Sequence, residues 1–206
     1  VGQNQRELAM TGVVLAGGRN SRMGRDKASL PWQESDFLQV ILQKLTCICD
    51  ELIVVTNMVR SETHPNVRYV TDIIPHCGPL SGIHAGLVHA SSDYAFVTAC
   101  DMPYLSTAAA SHICAQSPGW DAVVPGSADF HEPLFACYAK SCIPVIESLL
   151  QSNERKTQAL FPLVRCKHIP LDELKSFDPQ LRLLRNINSP ADYQAALRET
   201  PTRTQL

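Results

Sequence analysis

The sequence contains no apolar run approaching the roughly 18 residues that a membrane span needs, so no membrane contact is expected. Its charge is nearly balanced, with 18 Lys and Arg against 20 Asp and Glu and a formal net charge of −2. No global basic field is present to draw in nucleic acid or an anionic membrane. The opening stretch VGQNQRELAM is polar and lacks the apolar segment of a secretory signal, which sets the expectation of a cytoplasmic protein. The chain has no C-x-x-C pair, and its seven histidines are scattered, which argues against zinc, redox and iron–sulfur centres. It also lacks internal repeats, low-complexity segments and Gly/Ser linkers, so residues 1–206 are expected to form a single domain. The core of that domain should cover about 11–198, with a polar lead before it and a flexible tail from about Thr200.

What is present fits a folded enzyme-sized domain. With 45% hydrophobic and 18% charged residues the chain can bury a sizeable core. Its eight cysteines mostly sit in apolar segments such as FACYAKSCIPVI, as reduced, buried thiols would. Apolar, β-rich runs recur at GVVLA (12–16), ELIVV (51–55), VRYV (67–70), YAFVTA (94–99), DAVV (121–124), LFACY (134–138) and VRCKHI (164–169). Helical patterns separate most of them, at 35–46, 80–90, 106–117 and 141–152. The first places Leu38, Ile41, Leu42 and Leu45 on one face behind a Ser35/Asp36 cap. A last helix opens with S-P-A-D, where Ser189 caps, Pro190 takes the first turn and Asp192 closes the box. Strands alternating with helices predict an α/β fold: a mostly parallel, twisted sheet with helices on both faces. Right-handed crossovers would bring the C-terminal ends of several strands to one crevice.

The stretch LAGGRNSRMGRDK (15–27) combines flexible backbone with concentrated positive charge. Gly17 and Gly18 let backbone N–H groups approach an anion closely. Arg22 and Lys27 could neutralise a polyphosphate, while Arg19 and Arg25 either support that field or are simply solvated. Two familiar phosphate motifs do not apply. Five residues, not four, separate Gly18 from Gly24, and Arg25 follows where a P-loop has lysine. The adjacent glycines also break the G-x-G-x-x-G spacing of a dinucleotide fold.

The whole string resembles the nucleotidyltransferase signature L-A-G-G-x-S/N-x-R-M-G-x-D-K. CGPLSGIHAGL resembles G-P-L-[AS]-G, CDMPYL resembles C-D-x-P, and NINSPADY resembles N-x-N-[ST]-P. In this order over residues 11–198, these motifs resemble the molybdenum cofactor guanylyltransferases, the MobA-like family. PWQESDFL lacks the family's Gly and Pro before the first helix, and SNERKTQALF follows its Gly-Glu-Arg stretch loosely, leaving Arg155 and Lys156 unassigned.

The resemblance implies a three-layer, Rossmann-like nucleotidyltransferase fold. It also implies a Mg²⁺-dependent enzyme that transfers GMP from GTP to the terminal phosphate of molybdopterin or Mo-molybdopterin. Diphosphate would be released and the guanine dinucleotide cofactor passed to a carrier or a recipient molybdoenzyme. A cytidylyl- or sugar-phosphate nucleotidyltransferase, or a non-catalytic nucleotide-binding accessory protein, are the alternatives.

By resemblance, the backbone of Leu15, Ala16 and Gly17 lies against the nucleotide, Lys27 meets its phosphates and Asn57 approaches its base. Arg22, Lys27 and Asp101 would lead the catalysis. Asp101 ends an apolar run and is followed by Met102 and Pro103. A carboxylate there suits Mg²⁺, which prefers carboxylate and water oxygens. Asp72 holds a similar place after VRYV, as a nucleotide or metal contact or as a turn residue. Gly78 to Gly82 form a tight turn opening a helix, whose N-terminus favours an anionic group. Ser81 and Gly82 are expected on the molybdopterin side, Ser81 equally as a cap. On a strand, Asn186 and Asn188 would face one side while Ile187 packs on the other, with Asn188 alternatively only a turn residue before the last helix. The resemblance makes their amides readers of pterin edges. His131 and Glu132 stand at a strand entrance to the same crevice, as substrate contacts or as a surface turn.

Overall fold

The protein is described from a computed structural model, which covers residues 9–17, 27–58, 64, 66–75, 77–127 and 130–199. Strand β1 (Met10–Leu15) is followed by a two-stranded antiparallel ribbon of β2 (Pro31–Trp32) and β3 (Ser35–Asp36). Helix α1 (Phe37–Leu45), β4 (Glu51–Val55), β5 (Val67–Val70), α2 (Pro79–His89), β6 (Tyr94–Ala99) and α3 (Thr107–Ala115) come next. The chain continues through β7 (Ala122–Pro125), β8 (Phe135–Ala139), α4 (Ile143–Gln151), β9 (Cys166–Ile169), α5 (Leu171–Leu174) and α6 (Pro190–Glu199).

Among the described residues, seven strands form one sheet in the order β5-β4-β1-β6-β8-β7-β9. Six run in the same direction and β8 alone runs against its neighbours β6 and β7. Successive β1 residues point to opposite faces. Val14 therefore joins a core containing α1, α3 and α5 residues such as Ile41, Ile113 and Leu174. Val13 joins the opposite core, with Ile83 of α2 and Ile146 of α4. Helices thus cover both faces, as the alternation of strand and helix patterns requires, giving the expected three-layer α/β architecture. A third cluster, built on Trp32, Phe37, Ile187 and Ala196 with Tyr104 and Tyr193 against it, docks α6 beside α1 and the ribbon.

Helix ends follow their capping residues. Asp36 accepts the Gln39 N–H at 2.7 Å at the start of α1, so Asp36 is the cap while Ser35 belongs to the ribbon. The Ser189 hydroxyl accepts the Asp192 N–H at 3.1 Å and the Asp192 carboxylate accepts the Ser189 N–H at 2.8 Å, the expected box opening α6. Among the described residues no helix is long and apolar enough to cross a membrane, and all eight cysteines are free thiols.

Helix α2 lies very close to β1. A Cβ on Gly86 would stand 2.5 Å from Cγ1 and 3.1 Å from Cγ2 of Val13. Val13 is fully buried and stiff at χ1, so it cannot swing aside. Gly86→Ala should therefore destabilise the protein by about 1–3 kcal/mol through overpacking, against a helix-propensity gain of no more than about 1 kcal/mol. Denaturant unfolding checks the sign: a variant as stable as the parent would mean that α2 lifts off the sheet without penalty.

Candidate functional site

Where β1 and its parallel neighbours end, their C-terminal residues open into a cleft of about 770 Å³, within the usual size of a small-molecule site. Leu15 ends β1 and Gly17 follows it, Asn57 and Met58 follow β4, Asp72 follows β5, and Cys100 and Asp101 follow β6. Gly78, Pro79 and Gly82 enter from the start of α2, Leu134 from the approach to β8, and Arg155, Asn186 and Asn188 from the far side. The floor is a continuation of the sheet: the Ala16 N–H donates to the Val55 carbonyl at 2.9 Å, and the Cys100 N–H to the Leu15 carbonyl at 3.0 Å.

Two of the expected residues pair with each other. Asn57 Nδ2 donates to Asp72 Oδ2 at 2.7 Å, and the Asp72 N–H donates to Asn57 Oδ1 at 3.1 Å. This reciprocal bond ties the ends of β4 and β5 together and fixes both side chains on the same wall.

The opposite wall arrives from the end of the chain. The Ile187 N–H donates to the Asp101 carbonyl at 2.9 Å, and the Ile187 side chain is fully buried among Trp32, Phe37 and Ala196. Asn186 and Asn188 on either side of it both line the cleft, although this segment belongs to no strand of the sheet. The Asp101 turn is held from behind as well: Lys44 Nζ donates to the Pro103 carbonyl at 2.8 Å. Burial pulls the Lys44 ammonium below its ordinary value, and Met102 is fully buried. Asp101 thus projects from a turn that two distant elements grip.

Glu132 stands near Asp101. Burial raises its carboxyl above the ordinary value, the Leu134 N–H it accepts at 3.1 Å lowers it, and the Asp101 charge raises it further. His131 packs instead against Phe161 and His168, with ring centroids 4.7 Å from each. Burial, with the His168 charge beside it, lowers the His131 imidazole below its usual value. Arg155 lines the cleft with its guanidinium held by Asn153 Oδ1 at 3.2 and 3.0 Å.

The structure thus brings Leu15, Gly17, Asn57, Asp72, Gly82, Asp101, Asn186 and Asn188 to one cleft. Ala16 lies beneath it, 4% exposed, with its N–H committed to Val55. Gly18, Arg19, Arg22 and Arg25 lie outside the described residues, as does the side chain of Lys27, whose backbone opens a short 3-10 turn. Sequence reasoning did not single out Met58, Cys100 or Leu134. The available signal was adjacency, since Met58 follows Asn57 and Cys100 precedes Asp101, while the approach to β8 offered only Leu134 beside Glu132. Among the described residues no group of three or more His, Cys, Asp or Glu side chains forms a self-sufficient metal centre.

One expectation needs correction. Ser81 is fully buried and its hydroxyl donates to the Ile74 carbonyl, which pins the loop after β5 to α2. It does not reach the cleft as a molybdopterin contact. In a helix-opening turn, the sequence shows the residue type but not the direction of its side chain. Ser81→Ala should cost about 1–3 kcal/mol, because the Ile74 carbonyl loses a buried partner. Thermal unfolding should register that loss. A variant that kept its melting temperature yet bound a substrate more weakly would restore the contact role.

With this geometry established, the comparisons with known proteins can be placed on it. The family model for the MobA-like NTP transferase domain matches residues 12–166. A probable molybdenum cofactor guanylyltransferase of Pelotomaculum thermopropionicum is 36% identical over 189 residues, covering 92% of each chain. A molybdenum cofactor guanylyltransferase of Desulfosudis oleivorans is 33% identical over 190 residues, covering 91% of this chain and 94% of the other. Among solved structures, molybdopterin-guanine dinucleotide biosynthesis protein A from Archaeoglobus fulgidus superposes with a TM-score of 0.80. It is 26% identical and covers 92% of this chain and 97% of that one. Sequence and fold agree over nearly the whole length, and the chain belongs to the MobA-like NTP transferase family.

Proposed function

We propose that this nucleotidyltransferase transfers GMP from GTP to the terminal phosphate of molybdopterin, with or without bound molybdenum, and yields the guanine dinucleotide cofactor. The observation that carries the reading is the two-walled cleft around Asp101. One wall consists of the strand ends after β1, β4 and β5, and the other is the Asn186–Asn188 segment bonded to the Asp101 turn. GTP lies along the first wall, with Leu15 and Gly17 under the nucleotide, Asn57 and Asp72 beside it, and Gly18, Arg22 and Lys27 on its phosphates. Molybdopterin lies against Asn186 and Asn188, near Gly82. A phosphate oxygen of molybdopterin attacks the α-phosphorus, the α–β phosphoanhydride bond breaks and diphosphate leaves. The attacking monoester is already anionic, so the residues contribute alignment and charge stabilisation more than proton transfer.

A divalent cation fits this cleft. Asp101 offers one carboxylate, and the side-chain amides of Asn186 and Asn188 line the same cleft. One carboxylate, completed by water and substrate oxygens, is the usual way in which Mg²⁺ is held. We take Mg²⁺ as the ion, with Asp101 its ligand; when bound, it would screen the triphosphate charge. Eight free thiols and cytoplasmic substrates support a cytoplasmic enzyme that hands its product to a molybdoenzyme.

Each nucleoside triphosphate, incubated with Mg²⁺, molybdopterin and the protein, tests the reading through diphosphate release. GTP alone should support turnover; release with CTP alone would move the protein to cytidylyl transfer. Asp101→Asn should lower the rate on the order of 10²-fold or more, the scale of losing one preorganised electrostatic group. Asn186→Ala should raise the molybdopterin concentration required, by about 0.5–1.5 kcal/mol of lost hydrogen bonding, and leave GTP affinity unchanged. Separate titrations of the two substrates check the assignment, and a defect confined to GTP would reverse the two walls.

A further inference from the structure

Leu15 and Val55 border the cleft from its floor, 8% and 3% exposed. Among the described residues, Met58 is the one large hydrophobic side chain that both lines the cleft and stays exposed, at 48%. Its backbone is fixed: the Met58 N–H donates to Thr56 Oγ1 at 3.2 Å, and the Thr56 N–H donates to the Val70 carbonyl at 2.9 Å. The Gly17 backbone runs beside the same turn, since a Cβ on Gly17 would stand 3.8 Å from the Asn57 nitrogen and from Thr56 Cα. Met58 thus borders the same space as the Leu15–Gly17 backbone, next to the bonded pair of Asn57 and Asp72.

Single apolar side chains on a protein surface are ordinary and call for no ligand. Ile73, 46% exposed and outside the cleft lining, is of that kind. A side chain inside a cleft is met by whatever enters. A triphosphate seeks backbone N–H groups and cations, and a ribose seeks hydrogen-bonding partners; neither gains from a thioether. A nucleobase has polar edges but two apolar faces, which bind by burial and stacking. The polar groups of this wall suit an edge, and each orients the other: Asn57 Nδ2 donates to Asp72 Oδ2 at 2.7 Å and the Asp72 N–H to Asn57 Oδ1 at 3.1 Å. What they cannot offer is a seat for a face, and the next residue supplies it. Methionine suits the task, because its polarisable sulfur gains from contact with a ring and its unbranched chain adjusts to the ring's position. The geometry points to Met58 as the side chain against which the guanine ring of GTP rests. This assignment rests on the reading, given above, that GTP lies along the first wall.

Calorimetric titration with GTP and Mg²⁺, without molybdopterin, tests this separately from turnover. Met58→Ala should weaken GTP binding roughly three- to tenfold, the span of a lost sulfur–ring contact, at an unchanged melting temperature. Inorganic triphosphate, which has no base, should bind this variant and the parent alike, and Ile73→Ala should bind GTP like the parent. GTP binding that Met58→Ala leaves intact overturns the assignment. So does equal weakening by Ile73→Ala, or of GTP and triphosphate alike, since either means a disturbed loop and not a lost ring contact. The second readout is taken on the parent. Its four methionines are labelled with ¹³C at the methyl group, and the Met58 signal is the one absent from Met58→Leu. Saturating GTP should move that signal upfield by ring current, while triphosphate leaves it in place. A signal unmoved by bound GTP overturns the assignment even if Met58→Ala fails to fold. If the parent binds no GTP, the reading of the first wall fails and this inference falls with it.

Discussion

Parallel pairing on both sides of β1 is the constraint from which the site follows. Leu15 stands in register with Val55 on one side and Ala99 on the other, so three strands end level, on the same rim. Whatever follows them in sequence is delivered to one place, which is why Gly17, Asn57 and Asp101 meet although more than eighty residues of chain separate the first from the last. Parallel strands require crossovers, and crossovers put helices on both faces. Helix α2 is the crossover that matters most here. Its glycine face sits against Val13 and Leu15, which brings the Gly78 turn up to the rim and lets its first residues become a wall.

The other wall has a different origin. Strand β8 reverses direction, so the sheet presents a strand entrance at the rim, and Leu134 comes to the cleft from that side. The Asn186–Asn188 segment crosses over from an aromatic cluster, with Ile187 as the anchor and its N–H as the tie to Asp101. Trp32 and Phe37 in that cluster pack edge to face with centroids 5.3 Å apart, and Tyr193 reaches the Pro31 carbonyl at 2.6 Å. The same packing that seats the last helix therefore also anchors the segment that follows Lys27. The two walls of the cleft thus share one footing, and a transfer reaction that depends on alignment gains from it.

Much of this was legible in the sequence because apolar strands and their helices have different periods. ELIVV, VRYV and YAFVTA form strands with the expected ends, and the S-P-A-D box opens α6 as its residues require. The N-I-N pattern was legible for a similar reason: an apolar residue between two amides implies two opposite faces, and the structure supplies them. The direction of β8 was not legible, since LFACY is apolar throughout and carries no mark of which neighbour it will pair with. The ribbon at Pro31–Trp32 and Ser35–Asp36 was missed because two-residue strands have no period. Ser81 was misplaced because rotamer and helix phase, not composition, decide whether a hydroxyl faces a cleft or a carbonyl. Glu132 was recognised as standing at a strand entrance, but the bond from the Leu134 N–H that holds its carboxylate there depends on the turn into β8, which only the fold supplies.

The order in which the chain delivers its parts bears on how the protein matures. The first wall, proposed above to hold the nucleotide, takes shape once β1, β4 and β5 have paired. The acceptor wall waits for Ile187, and Ile187 waits for Ala196 and Tyr193 to close the cluster around it. A chain still short of α6 would have the strand ends of the first wall without the cluster that anchors the second. On the proposed assignment of the two walls, the seat for the acceptor would then form later in folding than the seat for the nucleotide.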